Sequence, residues 1–434
     1  MSPASVPHRN FFSDAIARMS AGTLVSAILF SLAIAGMPAH AQTFTVLHAF
    51  TGFEDGSEPE AGLTMDADGN FYGTTYGYGT TTLGTVFELA RAGSGWVLTP
   101  LYDFSGVDGA YPAGRVAIGV DGTLYGTTAG GGNPNCRYVG YAGCGLVFQL
   151  TPTAGSKTHP ASWTMTVLYQ FSGSDGANPQ GDLSFDTEGN IYGTTQSGGS
   201  TNNGVIYKLT PSSGGWTETV LYSAQNNGDG ALPNGGVVLD SSGNLYGVFT
   251  YGGPNGLGAV YQLSPSGSGW TERTLHGFAG SDGANPFGGL IMDSPGNIYG
   301  STPFGGGGAG TVFQMVYTND SWTFSTLYSF SAFGQPGPED KLTLDAAGNL
   351  FGATYEYGLY GRGSVFRLTP SSGGWTYASL HDFIGGPDGY GPNGNLILDS
   401  TGNLYGTTAN SVPPALIWVG IGNAIEITPE SSCQ

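Results

Sequence analysis

Six aspartates stand before a glycine at matching places along the chain: Asp55, Asp108, Asp175, Asp229, Asp282 and Asp388. Carboxylates ringed at one register could hold a cation or accept sugar hydroxyls. As an unequally spaced pair they could also do acid–base work on a glycosidic bond. Asp-Gly is also ordinary turn chemistry, in which the aspartate bonds to its own backbone. One copy of the loop carries Gly334 instead, and a ring that survives losing a member reads first as scaffold.

The histidines offer less. His48, His276 and His381 fill the slot held elsewhere by Tyr102, Tyr169, Tyr222 and Tyr328, so they read as packing substitutes. His159 is alone in an inserted SKTHPAS loop, and His8 and His40 belong to the N-terminal leader. No serine or cysteine accompanies any of them in a nucleophile–base arrangement. The stretch Asp66–Asn70 (DADGN) opens like a calcium loop but lacks the later ligands and the bidentate Glu. No cofactor is expected, with calcium at a lone oxygen site the remaining metal reading.

The elements that position these residues form one sentence repeated seven times, at a period of about fifty residues, the mark of a solenoid, propeller or array. Pro59, Pro112, Pro179, Pro233, Pro286, Pro338 and Pro392 set the register. Each sits seven residues before the end of an alternating apolar stretch, at Asp66, Gly119, Asp186, Asp240, Asp293, Asp345 or Asp399, and the alternation predicts a strand. A DxxGN turn leads to a second strand of the FYGTT type. Its mid-strand Gly (73, 126, 193, 247, 300, 352, 406) predicts a bulge or the close approach of an aromatic ring. A TVFEL-type third strand follows, then a fourth opening at Trp96, Trp163, Trp216, Trp270, Trp322 or Trp375. The repeat phase of these Trp and of Tyr72 and its equivalents predicts packing between units before exposed sugar platforms.

Four short antiparallel strands bury both faces only by stacking around an axis. The expected fold is therefore all-β, a seven-bladed β-propeller. The fourth strand has only six Trp-led copies. Thr43–Phe50 (TFTVLHAF) aligns with it and predicts that the N-terminal strand completes the last blade, removing two sheet edges.

The run DGANP…GL…D..GNLYGTT..GG..GTVF.LTP resembles the Gloeo/Verruco (GloVer) tandem repeat of exported bacterial proteins, across nearly all of the chain after the leader. That family's members commonly carry varied C-terminal anchors. None is visible here, so the resemblance implies a freely secreted or periplasmic form. The GL..D..GN.Y core is more loosely similar to NHL propeller repeats.

Residues 1–41 read as a secretory signal: His8, Arg9 and Arg18 precede an apolar run from Ala21 to Gly36, with Ala39-His40-Ala41 at the cleavage point. Residues 42–434 would be one domain in an oxidising compartment. Cys136 and Cys144, in one long loop, are the expected disulfide; Cys433 is unpaired or a competitor. A net charge of −20 disfavours nucleic acid, and no stable membrane insertion is expected after leader removal. The expected state is a monomer.

Departures from the repeat point to function. The second-to-third loop swells to Ala129–Cys144 in one unit, carrying Arg137 and Tyr138, and to Ala409–Ile421 in another, carrying Trp418. The sequence thus predicts a non-catalytic binding module for a glycan, protein or small ligand through its long-loop face. Two rivals stay open: a carbohydrate-active lyase or hydrolase using carboxylates at the mouth, and an envelope or adhesive repeat protein.

Overall fold

A computed structural model describes residues 42–428 apart from 78, 139–140, 154–161, 333 and 412–420. The expected leader, His159, Trp418 and Cys433 lie outside the described residues.

Seven four-stranded antiparallel sheets carry the chain. Blade three is typical, with strands Ser184–Phe185, Ile191–Thr195, Val205–Ser212 and Gly215–Ser223 in that spatial order. Blade seven joins Tyr390–Leu398, Leu404–Asn410 and Asn423–Thr428 to Thr43–Ala49, which pairs with Thr43 opposite Thr428. The ring closes as the strand count predicts. Among the described residues no helix is long and apolar enough to cross a membrane.

The mid-strand glycines make room for a ring on the adjoining strand. A Cβ on Gly126 would stand 2.6 Å from Phe148 Cζ, and one on Gly193 would stand 2.4 Å from the Tyr207 hydroxyl oxygen. Each ring sits directly across the ladder from its glycine and is fully buried. Blade seven has Ile425 at that position, and Gly406 faces Leu396 instead. The close-approach reading therefore holds, without a bulge at the glycine itself.

The Trp slot packs between blades. Trp163 of blade two meets Tyr72 of blade one edge-on, and Trp322 of blade five meets Tyr246 of blade four. Thr64, Ser184 and Thr343 donate hydrogen bonds to Val116, Val237 and Leu396 carbonyls of the next blade.

The inner strand varies in length from blade to blade. It spans two or three residues in five blades and nine in blades four and seven, Ala231–Leu239 and Tyr390–Leu398. A Cβ on Gly181 would lie 2.4 Å from Gly236 N, on Gly235 2.2 Å from Gly289 N, and on Gly394 2.1 Å from Gly62 N. Neighbouring inner segments thus touch backbone to backbone, in blades four and seven with their nine-residue strands as in blade three.

Candidate functional site

The aspartates of the six-membered ring bond within their own turns. Asp175 accepts from the Tyr169 hydroxyl at 2.6 Å and from Ser172 N at 2.8 Å. Asp229 does the same with Tyr222, Gln225 N and Asn227 N. Asp108 accepts from Tyr102 and from Ser105 N and Oγ. Where histidine replaces tyrosine the bond persists: His48 Nε2 lies 3.0 Å from Asp55, His276 Nε2 2.9 Å from Asp282 and His381 Nε2 3.0 Å from Asp388. Burial pushes the Asp108 and Asp229 carboxyls up. The tyrosine hydroxyl and turn N–H groups outweigh it and hold both below the usual range.

The DxxGN aspartates are occupied similarly. Asp186 accepts from Glu188 N, Asn190 N, Asn190 Nδ2 and the Tyr192 hydroxyl.

In blade two, Cys136 and Cys144 are joined, as expected. The loop between them forms a small hairpin, Arg137–Tyr138 against Tyr141–Ala142, with Arg137 exposed. Both cysteines pack into the cluster of Phe171 and Ala177 at the entry to blade three. Arg137 is not among the residues that line the axial recess described next.

That recess, about 250 Å³, lies on the propeller axis, where the residues after each repeat proline converge. These positions have little in common from blade to blade: Glu60, Arg115, Asp182, Asn234, Phe287, Asp340, Lys341 and Asn395 all contribute. Asp340 stands where five blades have glycine, and its carboxyl accepts the Gly394 N–H of the next blade.

Charge in the recess is divided. Asp182 of blade three meets two cations: Arg115 of blade two, through Nη2 and its backbone N–H at 3.3 Å each, and Lys341 of blade six, at 3.5 Å across the axis. Only eleven Lys and Arg occur in the chain, and two of them share this one carboxylate. Burial pushes Asp182 up, but the two cations prevail and hold its carboxyl below the usual range. Burial lowers the Lys341 ammonium despite Asp182.

Acids gather on blades one and six, beside Lys341. Burial first, then Glu58 and Glu339, raise the Glu60 carboxyl to about 7. Burial and Glu356 raise Glu339 to about 7, and burial with Glu339 carries Asp340 well above the carboxylate range. Four amides, Gln180, Asn234, Asn393 and Asn395, complete the lining. Asn234 is 3% exposed, and its Nδ2, like Asn395 Oδ1, has no hydrogen-bond partner among the described residues.

Unpaired buried amide groups, two cations on one carboxylate and part-protonated acids suit a hydroxyl-bearing anion. Repeat alignment passed over these positions because it retains what recurs. Their signal was present as the stretch after each proline, reading EAG, AGR, QGD, NGG, FGG, EDK and NGN.

The sequence profile of the Gloeobacter/Verrucomicrobia repeat matches residues 19–163, 136–343 and 273–417. No curated protein matches the chain. Among solved structures, the extracellular domain of a B. thetaiotaomicron protein described as a one-component system aligns at 13% identity and TM-score 0.50, over 89% of this chain and 41% of that one. A Bacteroides uniformis protein described as a 6-phosphogluconolactonase aligns at 12% identity and TM-score 0.48, over 86% and 100%. The PQQ-bound aldose sugar dehydrogenase of Streptomyces coelicolor aligns at 13% and 0.45, over 90% and 99%. At such identities the likeness concerns the fold alone.

Proposed function

The chain belongs to the Gloeobacter/Verrucomicrobia repeat family, and from that footing we propose that it is an exported binding protein whose axial recess takes a small, hydroxyl-rich acid of the sugar-acid type. The observation that carries this reading is the Arg115–Asp182–Lys341 cluster. One carboxylate facing two cations leaves a net positive charge and several N–H donors free for a ligand carboxylate. The unpaired amide groups of Asn234 and Asn395 supply a donor and an acceptor for hydroxyls. Export is supported by the apolar leader and the Cys136–Cys144 disulfide.

Calorimetry on residues 42–434 with glucuronic acid, gluconic acid and glucose tests it. Either acid should bind at least about tenfold tighter than glucose, the value of one charge-assisted contact. Arg115→Gln and Lys341→Gln should each remove that preference. Equal affinity for glucose, or no binding of either acid, overturns the reading.

A second reading has one observation behind it. Glu60 and Glu339 are held near neutrality, where a carboxyl can both give and take a proton. An acid–base enzyme on the same ligand class would release reducing ends from acidic oligosaccharides and lose that activity in Glu60→Gln.

A further inference from the structure

A cleft of about 280 Å³ opens on the long-loop face where blades six and seven meet. Its lining comes from the second-to-third loop of blade six, with Tyr355, Glu356, Tyr360 and Arg362, and from Tyr390 at the entry to blade seven. That loop reads YEYGLYGRG, whereas those of blades three and five read QSGGSTNNG and PFGGGGAG. Tyr360 is 56% exposed and the adjacent Leu359 75%. The Arg362 guanidinium carbon lies 5.7 Å from the Tyr390 ring centre. Gly391 permits the packing, since a Cβ there would press to 3.0 Å on the Tyr355 ring.

The cleft adjoins the recess along one strand: Tyr390 lines the cleft, and Asn393 and Asn395, further along Tyr390–Leu398, line the recess. Burial raises the Tyr355 hydroxyl, followed by Glu60 of the recess, Glu339, and Tyr390 and Glu356 of the cleft.

Building on the sugar-acid reading of the recess, we infer that the ligand is an oligosaccharide with its acidic unit at Arg115 and Lys341 and a neutral pyranose in the Tyr355–Tyr360–Tyr390 cleft. Tyrosine rings offer apolar faces to the C–H face of a pyranose while their hydroxyls remain free to bond. Glu356 and Arg362 at the rim supply an acceptor pair and a planar donor fork for ring hydroxyls. The unit in the cleft is neutral because Glu356 lines it, and a second carboxylate there would face like charge.

The test compares glucuronic acid, glucuronosyl-xylose and a glucuronic acid dimer by calorimetry on the full exported chain, wild type and Tyr360→Ala. Tyr360 is exposed, so its truncation leaves the fold in place, which a thermal melt verifies. Glucuronosyl-xylose should bind about tenfold tighter than glucuronic acid, an increment of the size that aromatic stacking provides. Tyr360→Ala should abolish that increment and leave glucuronic acid affinity unchanged. The dimer of two acids should gain nothing over the monomer. If glucuronic acid binds but the disaccharide gains nothing, or gains equally in Tyr360→Ala, the cleft assignment is overturned and the recess reading stands. If none of the three binds, both fall. A proline-rich peptide that binds in a Tyr360-dependent way while the disaccharide gains nothing overturns it in favour of a protein partner.

Discussion

Two rings of polar residues lie on the same seven blades and behave oppositely. The aspartates at the blade entries repeat one bond six times, to a tyrosine or a histidine that substitutes for it. The residues after the repeat prolines occupy equivalent places around the axis and share almost nothing. The first ring is one local problem solved once and copied. The second lines one recess to which all seven blades contribute, so a change there alters a shared site while leaving the blade intact. In a closed array, chemistry is to be sought where equivalent positions disagree.

The contrast can be attacked from its largest consequence downward. Removing Thr43–Ala49 takes the outer strand from blade seven and exposes the edge of Asn423–Thr428. The expected result is loss of the cooperative thermal transition, with aggregation by light scattering. A deletion variant that melts as sharply as the parent would detach closure from stability.

Next come the copied positions of the frame. Gly126→Ala forces a methyl to 2.6 Å from the Phe148 ring, within a buried ladder, and should cost about 1–3 kcal/mol by denaturant unfolding. Gly406→Ala meets a leucine methyl at 2.8 Å, a softer neighbour, and should cost less.

A double comparison then separates the rings directly. Asp175→Ala deprives Tyr169 and Ser172 of their acceptor and should destabilise by about 1–2 kcal/mol without changing sugar-acid affinity. Arg115→Gln should do the reverse, with affinity falling tenfold or more while stability moves by under about 1 kcal/mol. If the two variants show the same pattern, the distinction between the rings is empty.

The smallest effect is in pH. Glu60 and Glu339 rise from 4.5 to about 7 on folding, so the native state binds more protons than the unfolded chain between those values. Their stabilising contribution is whole below about pH 4.5, shrinks as pH rises and is lost above about 7. Melting temperature should fall across that window more steeply in the parent than in Glu60→Gln, and parallel curves would show that Glu60 titrates normally.

The blades, their closure and the Cys136–Cys144 bridge were legible because each rests on a pattern that recurs or visibly fails to recur. The mid-strand glycine was legible as a close approach, since seven costly glycines at one register imply a neighbour that needs the space. The backbone contacts between inner segments were not: alternation from Leu63 to Met65 or from Leu342 to Leu344 carries no sign that glycines beside such stretches meet the next blade. The recess was illegible for a related reason. Only the ring geometry brings Lys341 of blade six to Asp182 of blade three, residues with no proximity in sequence. The swollen loops drew notice by length, yet the loop of blade six, ordinary in length, builds the aromatic cleft through its composition.

The composite blade also orders events in time. Thr43 pairs opposite Thr428, so the first strand of the ring to leave a ribosome or a translocation channel has no partner until nearly the last residues follow. Six blades can assemble from neighbours as they emerge, while the seventh waits on the slowest kind of contact, one that spans the chain. Throughout that interval a strand lacking its partner is open to pairing with other molecules. For this protein the hazard of making the molecule is concentrated in one late step. Whatever holds the early strand apart during that wait governs yield more than the stability of any finished blade.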